Sequence, residues 1–354
     1  MADGGRQRAF IGSFTAAGGP GIVTARVDTT GALTVVSTLD DVPDPSYLAL
    51  SPDGRTLYAV SETARGAVAA YRVGGERPEP AGPPVPVDGS GPTHLGLFDG
   101  HLLTANYGSG SVTAVPLRPD GTLSRTASDV LRHTGAGPCT PRQQGPHAHQ
   151  VQSDPSGRWA VSVDLGTDSV RVCTLTDGAL ALHRETALRP GSGPRHLAFH
   201  PDGTRAYVVN ELSPSVTAAC WDAAEGVLTP LSETPVLPGA PAGDAYPSGI
   251  AVSADGRFVW TATRGEDVLS VLAVEREGLR LVATVPCGGH WPRALTSAGG
   301  FLYVANERSG DVTWFAVDPA TGIPRRGGSI EVPAASCVIL GCQNGPTEPA
   351  DGTG

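Results

Sequence analysis

Along this chain, short apolar runs alternate with tight-turn residues, and the clearest unit lies at residues 193–211. Pro194 to Phe199 reads as a strand, Pro201-Asp202-Gly203 as a turn and Tyr207 to Val209 as a second strand, closed by the polar pair Asn210-Glu211. Pro presets φ, Asp bonds its own backbone and Gly tolerates positive φ, so the tripeptide reverses the chain. The unit recurs from Pro45 through Ser51-Pro52-Asp53-Gly54 to Ser61-Glu62, and from Pro247 through Ser253-Ala254-Asp255-Gly256 to Thr263-Arg264. Shorter-turn copies run from Pro92 to Asn106-Tyr107 and from Pro292 to Asn306-Glu307, and a sixth runs from Ala148-His149 to Asp164-Leu165.

The spacing supports one repeat family. Pro45 to Ser61, Ala148 to Asp164, Pro194 to Asn210 and Pro247 to Thr263 are each 16 residues apart, and the two short-turn copies 14. A third β-like run follows each polar pair, as in Ser215 to Trp221 or Asp311 to Val317, and then a more variable fourth. Four short strands per repeat, at a period in the forties to fifties, predict an all-β propeller. Residues 8–37 begin out of phase: Arg8 to Phe14 resembles a second strand and Gly21 to Val27 a third. The missing first strand is found at Pro333 to Leu340. Six whole repeats and one split repeat make seven four-stranded blades, the ring closed by pairing the N- and C-terminal segments so that no edge is left open.

A single propeller domain is thus expected over 8–342, with a polar, Gly/Pro-rich tail at 343–354 expected to be disordered. Segments 74–91 and 134–145 read as long loops over one face, and no helix of consequence is expected. The 47 Gly and 32 Pro fall mainly between strand-like runs, which suits a turn-rich β protein. The net charge of −10 argues against nucleic acid or an anionic membrane as partner. All 25 basic residues are Arg, which excludes a Schiff-base lysine and makes any anion site an arginine site. No signal-like core or membrane-length run is present, and the six Cys lack metal-type spacing. Buried free thiols in a cytoplasmic protein are the expectation.

Blade geometry turns the spacing into a site. With the first strand innermost and running from top to bottom, residues opening it and residues closing the second strand share the top face. The opening position reads Ser46, Thr93, His149, Arg195, Ser248 and Arg293; the closing position reads Glu62, Tyr107, Leu165, Glu211, Arg264 and Glu307. Charged side chains around a ring mouth suit a small anion. The position before the closing residue (Ser61, Asn106, Asp164, Asn210, Thr263, Asn306) is expected chiefly to cap its own backbone. His147 and His149 share a strand side at a spacing that can hold a metal, but no third ligand is placed with them, so no metal and no cofactor is expected. His133, His183 and His200 read as surface or turn residues, Glu62 and Glu307 stay undecided between site and rim pairing, and Tyr246, His290 and Trp291 lie where they can line the mouth.

Gly145-Pro146-His147-Ala148-His149, Asp164-Leu165-Gly166-Thr167-Asp168, Gly193-Pro194-Arg195-His196, Asn210-Glu211 and the closing Val332 to Val338 together resemble the seven-bladed lactonase family. That family includes cycloisomerase 2-type 6-phosphogluconolactonases and the fungal-type carboxymuconate lactonizing enzyme, and the resemblance runs from about residue 8 to 342. It implies an active site of His149, Arg195, Glu211 and Arg264, the residues already singled out by repeat alignment. His147, His196, Asn210, Arg293, Glu307 and Asp164 complete the expected substrate-binding set. The chain departs from the family at Thr263 (usually Asn), Gly249 (usually acidic) and Glu307 (often Gln), all near the mouth.

The resemblance implies a lactonase for a small anionic lactone, with His149 or Glu211 as the base and the arginines binding the anion and the oxyanion. A muconate-type lactonizing cycloisomerase on the same residues is the alternative within enzymes. A non-catalytic scaffold propeller is the alternative outside them, although 5% aromatic residues is little for a broad binding face. Substrate identity, reaction direction and oligomeric state are left open at this stage.

Overall fold

The computed structural model describes residues 7–341; the expected tail at 343–354 and Cys342 lie outside them. Seven antiparallel sheets form the ring, numbered here by their inner strands. These are Leu48–Leu50 (blade 1), Pro92–Phe98 (blade 2), Ala148–Ser153 (blade 3), Pro194–Phe199 (blade 4), Tyr246–Val252 (blade 5), Pro292–Ala298 (blade 6) and Ala335–Leu340 (blade 7). Blade 7 is the split one: Ala335–Leu340 pairs antiparallel with Arg8–Ser13, with Ile11 opposite Val338. The one helical element among the described residues is the 3-10 turn Thr15–Ala17.

Second strands such as Arg205–Asn210 are buried on both faces, which is why they read as continuous apolar runs rather than alternating ones. In blade 4, Ala206 and Val208 pack toward blade 3 while Tyr207 and Val209 pack toward blade 5. Every pair of neighbouring blades shares such an apolar cluster, so the core is a ring of inter-blade wedges. Fourth strands face solvent on the rim and are mostly exposed, as in Ala179–Ala187. Blade 1 departs from the pattern because its Pro-rich 74–91 segment supplies two two-residue strands, Glu79–Pro80 and Val85–Pro86, both paired with Ala67–Arg72. Proline cannot extend a hydrogen-bonded ladder, so this outer edge breaks.

The inner strands carry a feature the repeat spacing did not reveal. In blades 2, 3, 4, 6 and 7 the register slips by one residue at the top, leaving Thr93, His149, Arg195, Arg293 and Ser336 as the extra residue of a β-bulge. Blade 5 slips similarly across Ser248-Gly249. A bulge re-aims its extra side chain, and here each one falls on the opening position. Hydrogen bonds stitch these positions around the ring: Thr93 Oγ1 donates to His149 O (3.3 Å), Arg195 Nη1 to Ser248 O (2.8 Å) and Ser336 Oγ to Ser46 O (2.8 Å). Gly249 belongs to this belt for steric reasons. A Cβ there would lie 2.6 Å from the backbone N of Leu295, so the acidic residue usual in the family cannot sit on this backbone unmoved.

Two expectations need correction. The side chains of Asn106, Asn210 and Asn306 do not cap their own backbone. Each Nδ2 donates to hydroxyls of the third strand, as Asn210 does to Ser215 and Thr217 (both 3.0 Å), bracing the blade internally. Cysteines 173, 287 and 337 are buried free thiols, but the free Cys220 is exposed because the strand alternates there, Cys220 and Asp222 facing out while Ala219 and Trp221 are buried.

Candidate active site

Glu211 closes the second strand of blade 4 and is the hub of the mouth, only 3% exposed. Its Oε2 lies 3.1 Å from Arg195 Nε and 2.6 Å from Arg264 Nη2, while its Oε1 pairs with Arg142. Burial pushes this carboxyl up, but Arg264 and Arg195, with His149 and Arg142, outweigh it and hold it well below the usual carboxylate range. Glu211 is therefore firmly ionised. Burial and the neighbouring Arg264 pull Arg195 down to about 9 despite Glu211, and burial lowers Arg264 as well. Both guanidiniums are locked by backbone carbonyls: Arg195 by Ser248, Arg264 by Tyr246 (3.1 Å) and Pro247 (3.4 Å). Tyr246 and Trp291 flank Arg264, their ring centres 6.0 and 5.6 Å from its Cζ. His290 instead pairs with Asp267 at an exposed position.

His149 opens blade 3 beside this cluster. Burial, then Arg195, lowers its pKa well below the ordinary histidine value, so the imidazole is neutral near pH 7. Thr93 Oγ1 lies 3.4 Å from its Nδ1. Because the hydroxyl proton goes to the carbonyl of His149, which can only accept, the hydroxyl oxygen faces Nδ1 as an acceptor. That arrangement puts the ring proton on Nδ1 and leaves the lone pair on Nε2. Beside His149 lies a layer of rings contributed by the inner segments of neighbouring blades. His149 and His196 are edge to face at 5.2 Å, His196 and His94 at 5.4 Å, and His94 meets Tyr47 at 4.0 Å. A cavity of about 60 Å³ lies beside it, lined among others by Tyr47, Gln150, His196 and Cys337.

The other expected site residues fall in three places. Arg293 forms a second ionic group with Glu307 (3.1 Å) and Glu62 (3.8 Å), its guanidinium over the Phe14 ring at 4.7 Å. His147 stacks on Tyr107 at 4.3 Å and its Nδ1 lies 2.8 Å from Tyr107 O, while His149 meets the same ring edge-on at 5.4 Å. Among the described residues no group of three or more His, Cys, Asp or Glu is placed to hold a metal ion. Asn210 and Asp164 are fully buried behind the mouth. Asp164 accepts from the backbone N of His147 (2.9 Å) and of Thr167 (3.1 Å), and pairs with His133. This makes His133 a buried structural residue, not a surface one; His200 is buried in its turn, and His183 stacks exposed on Trp159.

Sequence reasoning missed Arg142, Thr93's contact with His149, and the His94–Tyr47 pair. His94 and Tyr47 stand two residues after the repeat's Pro, as the expected His196 does, so the same alignment moved one position on would have found them. Arg142 has no repeat equivalent and carried no such signal.

Chain and site together define a seven-bladed β-propeller with a buried arginine–carboxylate–histidine cluster at one mouth of its channel. The family model for "Lactonase, 7-bladed beta-propeller" matches residues 8–340, and the chain belongs to that family. It is 34% identical over 339 residues to the 6-phosphogluconolactonase of Bacillus subtilis strain 168, covering 93% of this chain and 97% of that protein. It is 29% identical to the 6-phosphogluconolactonase of Formosa agariphila, covering 88% and 93%. The solved structure of the periplasmic gluconolactonase of Pseudomonas aeruginosa superposes with a TM-score of 0.88 at 31% identity, covering 95% of this chain and 99% of that one. No helix among the described residues is long and apolar enough to cross a membrane.

Proposed function

We propose that the chain is a sugar-lactone hydrolase of the 6-phosphogluconolactonase type, with His149 as its general base. The carrying observation is a buried neutral imidazole, oriented by Thr93, beside two arginines anchored on one carboxylate. Glu211 is a poor base because the arginines hold it ionised, so its role is to align them. Water attacks the lactone carbonyl as His149 Nε2 takes its proton. Arg195 Nη2 and Arg264 Nη1, which have no partner among the described residues, stabilise the oxyanion of the tetrahedral intermediate. Collapse breaks the ring C–O bond, and the imidazolium returns the proton to the leaving alkoxide. The product is the open hydroxy acid, and His149 is regenerated neutral. A cytoplasmic site of action belongs to the same proposal, resting on the buried free thiols.

The test is a panel of 6-phosphogluconolactone, unphosphorylated sugar lactones and muconolactones, assayed with the wild type and His149→Ala. Turnover of a sugar lactone, lowered roughly 10²–10⁴-fold by the substitution, is expected. The acid limb of kcat/KM should lie below the ordinary histidine value of about 6.5. Undiminished turnover by His149→Ala would remove it as the base.

A further inference from the structure

Arg142 stands apart from the other arginines of the mouth. It is carried by the connection between the outer strand of blade 2, Asp129–Arg132, and the inner strand of blade 3. The next residue, Gln143, is 1% exposed and pins that loop: its Nε2 donates to Leu165 O (2.8 Å) and Asp168 Oδ1 (2.7 Å), and its Oε1 accepts from the backbone N of Cys139 (3.0 Å). Asp168 in turn accepts from the backbone N of Gly191 and of Gly193 (both 2.7 Å), tying the loop to blade 4 immediately before Arg195. The loop is thus fixed against the site.

The Arg142 side chain is 37% exposed, against 3% for Arg195 and 9% for Arg264. Only its Nη2 is engaged, by Glu211 Oε1 and by Tyr107 Oη at 3.5 Å. Its Nε and Nη1 have no partner among the described residues. The buried arginines, by contrast, are tied to backbone carbonyls and cannot swing toward a second group. Arg142, Arg195 and Arg264 surround the single charge of Glu211, leaving this cluster a formal excess of positive charge that favours an anionic substrate. Arg142 sits on one oxygen of Glu211 and the buried pair on the other, so the carboxylate stands between Arg142 and the two arginines assigned to the oxyanion in the proposed reaction.

We infer that Arg142 is the specificity-determining residue that reads the phosphate of a phosphorylated sugar lactone and favours it over the neutral lactone. This rests on the lactonase reading above. An arginine offers a planar pair of donors to phosphate, which a lysine cannot reproduce.

Full-length wild type, Arg142→Ala and Arg142→Lys would be assayed on 6-phosphogluconolactone and on gluconolactone, with calorimetric binding of the products 6-phosphogluconate and gluconate in parallel. Arg142→Ala should lower kcat/KM for the phosphorylated lactone roughly 10- to 100-fold more than for the neutral one, chiefly through KM, on the scale of a lost charge-assisted contact. Arg142→Lys should fall between, and 6-phosphogluconate binding should weaken in step. Equal losses on both lactones would overturn the inference, since Arg142 would then act only by holding Glu211. Arg142-dependent binding of 6-phosphogluconate by a protein that opens neither lactone would sink the proposed reaction while the anion site stood.

Discussion

Replacing Glu211 by Gln separates an anchor from a base. The amide keeps the shape of the carboxylate but removes the charge that Arg195, Arg264 and Arg142 surround. Arg195 and Arg264 remain buried, and removing one partner from a buried ion pair costs about 3–5 kcal/mol. The Glu211 carboxyl is held below its unfolded value, so its contribution is complete above the unfolded pKa of about 4.3 and is lost as pH falls through the folded one. The stability gap between wild type and variant should be full at pH 7, hold down to about pH 5, and shrink below that. Urea unfolding at pH 7, 5.5 and 4 measures it. Activity should fall as the arginines lose alignment, yet an acid limb should persist. It should move to lower pH, because Glu211 is one of the charges that raises His149. A variant within about 0.5 kcal/mol of wild type at pH 7, the scatter of an ordinary surface substitution, or one whose acid limb disappears, would refute the anchor role.

The buried ring layer predicts acid sensitivity. Burial, then Arg195, lowers His94 to about 3, so below about pH 6.5 the unfolded chain takes up a proton that the folded one refuses, and stability drops by about 1.4 kcal/mol per pH unit for that group alone. His94→Phe should flatten the fall of urea stability between pH 6 and 4 by about that slope, and an unchanged slope would contradict it. Ending the chain at Val332 removes Ala335–Leu340, exposing the edge of Arg8–Ser13 and taking Ala335, Cys337 and Val338 out of two inter-blade clusters. Cooperative thermal unfolding should be lost, and a midpoint equal to that of the full chain would rule out closure by the termini.

The repeat was legible because each blade is a local unit. Its Asp-Gly turns and doubly buried second strands are short-range signals that a sequence carries directly. Alignment of the copies therefore placed the ring closure at Pro333 to Leu340, where Ala335–Leu340 pairs with Arg8–Ser13, and it picked out His149, Arg195, Glu211 and Arg264 as neighbours at one mouth. Their charge states were not legible, because a pKa depends on burial and on partners brought in from other blades. Glu211 and His149 looked equivalent as bases until three arginines surrounded the one and burial neutralised the other. The bulges that turn Thr93, His149 and Arg195 inward are register events between strands, invisible to spacing within one strand. Arg142 sits on a loop outside the repeat, and only the packing of Gln143 and Asp168 brings it to Glu211. Local patterning determined the ring and the ring mouth; long-range contacts decided which groups there are charged, which are locked and which are open to a ligand.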